Sequence, residues 1–286
     1  FSFDVDHVVN ARIALEAAGF VEKGKKKGTA DLVLRVQDAE PLHATLEYND
    51  YGTRRLGRSR VGLAINANNV LADGDEAFGR ATYLLPRTSD PLFQASYAAP
   101  IGEAGDRLSV SYSNSAVVLG ADVAVLDIRG DAEIYGLTFQ RPFLREVNKT
   151  ANLTMGFVLK SVQNVIFGEQ LISKDDLRLA TASVDGQLVM GDSRILASAT
   201  YTQGLGTLFG GVKSGARFED GTLRASREGA GNELGKGNVD AFFIRRVTAS
   251  DFLLIRAGGQ FATQPLPVVE QFGLGGPDSV RGYLQS

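Results

Sequence analysis

The chain of 286 residues contains no cysteine, only two histidines, and no run of apolar residues long enough to cross a membrane as a helix. Without cysteine there is no disulfide framework, no thiolate metal site and no cysteine nucleophile. His7 and His43 fall in different segments, so a histidine-based metal centre or triad is not expected, and no cofactor is implied. Lys+Arg is 30 against Asp+Glu 33, a net charge of −3, which makes no electrostatic case for nucleic acid. No glycine-rich loop ends in Gly-Lys-Ser/Thr, so no nucleotide site is expected. The best apolar run, Ala116 to Leu126, carries Gly120 and Asp122 and falls short of the ~18 residues a membrane helix needs. A helical membrane protein is thereby excluded; a membrane β-barrel is not.

Residues 1–40 differ from everything after them. Val8, Val9, Ile13, Leu15 and Ala18 recur at mixed three- and four-residue spacings, which predicts an amphipathic helix from about Asp6 that ends at Gly19. Gly24-Lys25-Lys26-Lys27-Gly28 reads as an exposed loop, Asp31 to Val36 as a short strand, and Pro41 closes the unit. A helix and one strand cannot bury a core, so this segment is expected to be the tail of a small α+β domain. The first residue is Phe1 and the last ones lie inside a glycine-rich loop, so the chain is expected to be a fragment of a longer protein.

From Leu42 the pattern changes to period two. Leu42, Ala44, Leu46 and Tyr48 share one face of a strand, and His43, Thr45, Glu47 and Asn49 the other. The segments Arg107 to Ser113 and Asn152 to Lys160 repeat the alternation. Further candidates are Ser59 to Asn66, Glu76 to Leu85, Leu92 to Ala99, Ala132 to Gln140, Leu177 to Val189, Ile195 to Gln203, Val239 to Val247 and Phe252 to Ala262. That makes about eleven strands, most near the ~9–11 residues that cross a bilayer as tilted β. Gly52 to Leu56 and Thr248 to Asp251 read as tight connections, Gly204 to Gly237 as a long polar loop. Unequal rims of this kind belong to membrane barrels, and Tyr48, Tyr51, Tyr83, Phe93, Phe143 and Phe261 lie near strand ends where an aromatic girdle would sit. A soluble all-β fold is the alternative, but its strands are usually shorter and its core bulkier than this alanine-rich face.

No nucleophile, base and orienting group converge by spacing, so an enzyme is not expected. Asp73 and Asp75 flank Gly74 in a turn, and Asp175-Asp176 begin a strand, as acids on a barrel rim would. Arg54, Arg55, Arg58 and Arg60 cluster at a hairpin, and Arg129-Gly130-Asp131 reads as a turn leading into a strand. Gly204 to Gly210 lacks the glycine spacing and the strand-to-helix setting of a dinucleotide fingerprint and is read as loop.

The most specific stretch is the last. Glu270-Gln271-Phe272-Gly273-Leu274-Gly275-Gly276 leads through Pro277 and Asp278 into Ser279-Val280-Arg281-Gly282-Tyr283. Together with Gly28 to Leu34 and the strand series, it closely resembles the outer-membrane transporters of two-partner secretion. This is the haemolysin-activator and filamentous-haemagglutinin-transporter (TpsB) family, within a wider superfamily that includes the outer-membrane assembly insertases.

The resemblance implies a mainly β fold, a transmembrane antiparallel barrel of about sixteen strands preceded by POTRA domains. Residues 1–40 would be the C-terminal part of a periplasmic POTRA domain and 41–286 a partial barrel. Residues 264–286 would begin a loop that folds back into the lumen. The implied function is export of a large β-helical exoprotein across the bacterial outer membrane, with that unfolded client and the outer-membrane lipids as partners. Alternatives within reach are an assembly insertase of the same superfamily and a passive porin-like channel. The resemblance gives Val280, Arg281, Gly282 and Tyr283 the role of a latch in the lumen, supported by Gln271, Phe272, Gly275, Gly276, Pro277 and Asp278. Arg281 would be held by a carboxylate on the inner wall, which its planar guanidinium can bond through two parallel N–H donors.

Overall fold

The computed structural model describes residues 15–23, 30–38, 41–50, 57, 59–85, 91–119 and 121–273. They form two sheets. The smaller is a hairpin of β1 (Leu15–Lys23) and β2 (Ala30–Asp38), paired antiparallel from Leu15 opposite Asp38 to Lys23 opposite Ala30. The strand expected over Asp31 to Val36 is therefore present, but the helix expected to end at Gly19 is not helical from Leu15 onward. Gly19 sits mid-strand, opposite Leu34. In so short an apolar run the spacing does not separate helix from strand, and pairing with residues 30–38 supplies the backbone partners instead. The earlier part of that helix and the lysine-rich Gly24–Gly28 loop lie outside the described residues.

The larger sheet contains β3 (Leu42–Asn49), β4 (Ser59–Asn68), β5 (Glu76–Leu85), β6 (Leu92–Ile101), β7 (Asp106–Val118), β8 (Arg129–Glu146), β9 (Lys149–Ile166), β10 (Gln170–Met190), β11 (Ser193–Gly204), β12 (Gly235–Arg246) and β13 (Phe252–Ala262). Each strand pairs antiparallel with the next, so the eleven strands form one uninterrupted meander. Register turns the period-two sequence pattern into two continuous faces. On one, Phe139, Met155, Ala182, Tyr201, Gly237 and Phe261 stand in a row across β8 to β13. On the other, the next row is Gln140, Thr154, Ser183, Thr200, Asn238 and Gln260.

The apolar face is left uncovered. Leu46, Val110 and Ile255 are 77, 50 and 52% exposed, whereas the buried apolar side chains are few and mostly belong to a cluster on the opposite face. A soluble fold would bury the larger apolar face, so this sheet is an outward-apolar wall matched to lipid. Tyr48, Tyr83, Phe93 and Phe261 lie on that outward face near strand ends, as a girdle requires; Tyr51 lies outside the described residues. The Phe261 ring occupies the space a side chain at Gly237 would need, an aromatic covering a strand glycine.

Connections alternate between two rims. The connections that follow β3, β5, β7, β9 and β11 share one rim, which carries the longest, 205–234; those that follow β4, β6, β8, β10 and β12 share the other, where 69–75, 102–105, 147–148, 191–192 and 247–251 are all short. Gly52 to Leu56 lies outside the described residues, and Thr248 to Asp251 sits on the short-turn rim. At the short-turn rim Asp75 is buried and accepts the amides of Val70, Leu71 and Ala72 at 2.6, 2.8 and 2.8 Å and the Tyr97 hydroxyl at 2.6 Å. Burial pushes its carboxyl up, but the Tyr97 hydroxyl and these amides outweigh burial and hold it at about 2. Asp75 is therefore the centre of its turn, while Asp73 is exposed.

Strands β8, β9 and β10 run to 18, 18 and 21 residues, longer than their alternating segments predict. Arg129-Gly130-Asp131 consequently lies within β8, paired with Val118, Val117 and Ala116, and Asp175-Asp176 lies within β10. Pairing with neighbours continues there although the alternation has stopped, which is why the sequence placed turns or strand starts at both. Arg60 is in β4; Arg54, Arg55 and Arg58 lie outside the described residues.

Candidate functional site

Beyond β13 the chain leaves the sheet and turns back over its polar face. Thr263 makes the last rung, its amide donating to Gly235 O at 2.8 Å and its Oγ1 accepting from Gly235 N at 3.0 Å. Pro265 and Pro267 then offer no amide to a ladder. Pro267 caps a single 3₁₀ turn, Val268–Glu270, closed by the Glu270 amide on Pro267 O at 2.9 Å. That turn aims the Glu270 carboxylate at the inner wall.

There Glu270, 4% exposed, meets two lysines. Lys160 of β9 donates to Oε1 at 2.5 Å and Lys236 of β12 donates to Oε2. Gln260 of β13 holds the Glu270 carbonyl at 3.0 Å. Burial alone would push the Glu270 carboxyl up; Lys160 first and Lys236 with it reverse the effect and keep it below the usual range, hence ionised. Two ammonium groups facing one carboxylate tolerate the loss of neither charge type easily, since an unpaired buried charge is costly. Beside this trio Leu266 joins Leu177, Leu179 and Leu234, with Val158 and Val269 packed against them.

Leu234 belongs to the loop 205–234, expected from its sequence to be long and polar. Instead it is packed. Pairing of β10 with β11 stops at Leu179 opposite Gly204, so residues 170–178 of β10 project with an open edge. The loop supplies the missing partners: Lys174 N donates to Arg224 O at 2.7 Å, Val212 N to Asp176 O at 3.1 Å, and Leu205 N to Arg178 O at 2.9 Å. Asn232, fully buried, completes the edge, with Oδ1 accepting from Arg178 N at 2.8 Å and Nδ2 donating to Gly206 O at 2.5 Å. Gly211 is required here, because a Cβ would overlap the Asn232 side chain and Gly206 O. Asp176 is bonded by Arg224 at 2.8 Å and Ser161 at 2.7 Å, and Asp175 accepts Ser226 N at 3.1 Å. The acid pair is thus structural, an anchor for the loop rather than a rim feature.

Of the residues expected to support the latch, Gln271 bonds Leu266 O at 3.2 Å, and Phe272 lies against the inner face of β13 beside Gly258. Gly275, Gly276, Pro277, Asp278, Val280, Arg281, Gly282 and Tyr283 lie outside the described residues. Glu270 was part of the stretch singled out in the sequence, but its partners were not legible: Lys160 and Lys236 stand on the polar faces of strands far apart in the chain, and Asn232 looks like any loop asparagine.

An uncovered apolar outside, a polar inside and a loop strapped to the inner wall define part of a membrane-embedded β-barrel. The chain belongs to the haemolysin secretion/activation protein ShlB/FhaC/HecB family, whose sequence model matches residues 28–286. It is 24% identical over 285 residues to the heme/hemopexin transporter protein HuxB of Haemophilus influenzae, covering 96% of this chain and 46% of that protein. It is also 24% identical over 281 residues to the hemolysin transporter protein ShlB of Serratia marcescens, covering 92% and 46%. The chain therefore spans about half the length of the curated relatives it matches. Among solved structures, CdiB from Escherichia coli matches with a TM-score of 0.78 at 20% identity over 96% of this chain and 50% of that one. BamA from Haemophilus ducreyi matches at 0.54 and 12% identity, over 97% and 52%.

Proposed function

We propose that the chain is part of an outer-membrane pore that exports a large exoprotein in two-partner secretion. Membership of the haemolysin secretion/activation family over residues 28–286 carries this reading. The outward-apolar wall sits in the bacterial outer membrane, its short turns towards the periplasm and its long loops outside. Residues 1–40 are the end of a periplasmic POTRA domain, and the β1–β2 hairpin supports this. Such a domain receives an unfolded client by adding its strand to a sheet edge, which needs main-chain partners and little sequence. The polar wall then passes the extended chain, and folding of the client outside prevents its return. Val280, Arg281, Gly282 and Tyr283 form the latch that continues inward from the strapped segment, and Arg281 is its charged anchor.

The relation to BamA, at a TM-score of 0.54, is one of shared fold, and the family match favours secretion over barrel assembly. The test is to express the full-length protein with a candidate large β-helical exoprotein from the same genome and to assay the medium and cell surface. Export that depends on the transporter is expected. Equal export in its absence, or a client retained in both cases while other outer-membrane proteins fail to assemble, would refute the reading.

A further inference from the structure

The strapped segment after β13 and the loop 205–234 come from different places in the sequence, yet they pack as one unit. Leu266 of the first and Leu234 of the second share one cluster with Leu177 and Leu179. The Val268 amide donates to Ser226 Oγ at 3.0 Å, and Pro265 fills the space over Gly229. Ser226 is itself tied to the wall through Asp175. Beneath this unit Lys160 and Lys236 start from strands three places apart, about 14 Å at the usual strand spacing. Lys160 stands opposite Leu177, Lys236 stands opposite Thr202, and Leu179 pairs with Gly204 between those two rows, so the lysines reach Glu270 from different rows across the leucine pair.

We propose that Glu270 is a positioning residue, a buried charge pin that fastens both segments to the inner wall as a single cap, so that they hold or open together. The pin is the one ionic contact of the strapped segment with the wall among the described residues. Its two ammonium partners have side chains only 15 and 14% exposed. Removing the carboxylate leaves two like charges facing each other with little water to screen them, which favours an open cap in which both lysines are solvated. Because Leu234 and Leu266 are in contact with the same wall leucines, lifting one segment uncovers the other. The consequence for transport rests on the secretion reading; the pin itself does not.

Residues 1–286 contain no cysteine, so a thiol introduced here has no competitor among them, and any cysteine elsewhere in the full-length transporter is first replaced by serine. Ala230 is fully buried in loop 205–234, so Ala230→Cys in the full-length transporter reacts with an impermeant maleimide on intact cells only when the cap opens. Slow labelling is expected with Glu270 intact, and labelling about tenfold faster or more in Glu270→Gln. The neutral set Lys160→Gln/Lys236→Gln/Glu270→Gln removes the stranded charges and is expected to label at least about threefold more slowly than Glu270→Gln alone. An unchanged rate in inserted, heat-modifiable Glu270→Gln overturns the pin, as does a neutral set that labels as fast as the single variant. If Glu270→Gln fails to insert, Lys236→Gln is read in the same assay, with about a threefold rise expected and no rise overturning the proposal. Client export is scored in parallel. Unchanged labelling beside normal wild-type export removes the pin alone, whereas absent wild-type export removes the secretion reading whatever the labelling shows.

Discussion

Replacing Leu234 by alanine should loosen the cap without unfolding the wall. Leu234 is fully buried, and its neighbours Leu177, Leu179 and Leu266 are 1, 3 and 5% exposed, so nothing already wet is near it. Three carbons at about 0.8 kcal/mol each give roughly 2.4 kcal/mol of lost transfer energy. The cavity adds to this, and the total for such substitutions is about 3–5 kcal/mol. The lower end applies here, because the cap lies on the polar face of the sheet, outside any closed core, and can settle into the gap. About 3 kcal/mol corresponds to a roughly hundredfold larger opening constant. Hydrogen exchange in detergent or nanodiscs reads it directly. The amides of Gly204, Gly206 and Asn232, which donate to Leu234 O, Asn232 O and Val212 O, should exchange roughly a hundredfold faster, while amides in the middle of β9 to β12 stay slow. Leu253→Ala is the control: Leu253 is on the lipid face and 45% exposed, so its truncation exposes nothing new to water and should change these rates by less than about twofold. Equal effects of the two substitutions, or acceleration spread evenly over the wall strands, would refute the idea that a local leucine cluster holds the cap.

Two further outcomes test the rim and the latch. The Asp75 carboxyl is held at about 2 against an ordinary 3.8, so its contribution to the turn is complete above about 4 and is lost as pH falls through about 2. A carboxyl-carbon NMR titration of Asp75 with a midpoint near 4 would sink that account, and Asp75→Asn should abolish the pH dependence of turn 69–75. Arg281→Ala in the full-length protein should insert normally yet export its client poorly; export at the wild-type level would remove Arg281 from the latch.

The strands were legible because one side of this sheet faces lipid and the other water. That asymmetry imprints a strict period of two, and a one-residue slip would place a whole row on the wrong side. Eleven alternating segments thus became eleven strands, and the glycine-rich ending carried the family resemblance. The pattern failed where its physical cause was absent. Leu15 to Gly19 has too few residues to separate the two periods, and Asp175-Asp176 lies on a projecting part of β10 whose surroundings are loop, not lipid. The loop 205–234 reads as polar because its few buried apolar residues, Ala225, Ala230 and Leu234, follow no period, and most of its other anchoring contacts are main-chain groups and Asn232.

What the amino-acid sequence determined alone is therefore the wall: its strand number, its two faces and its kinship with secretion transporters, all consequences of local alternation and a compact motif. What only the tertiary structure decided is the cap. The meeting of Glu270 with Lys160 and Lys236, and of Leu234 with Leu177 and Leu266, depends on which strands lie side by side and on a proline-set turn that sends the chain back over them. Contacts between residues so far apart in sequence leave no periodic trace, because each partner obeys the local rule of its own strand or loop and acquires its role only when the sheet has formed.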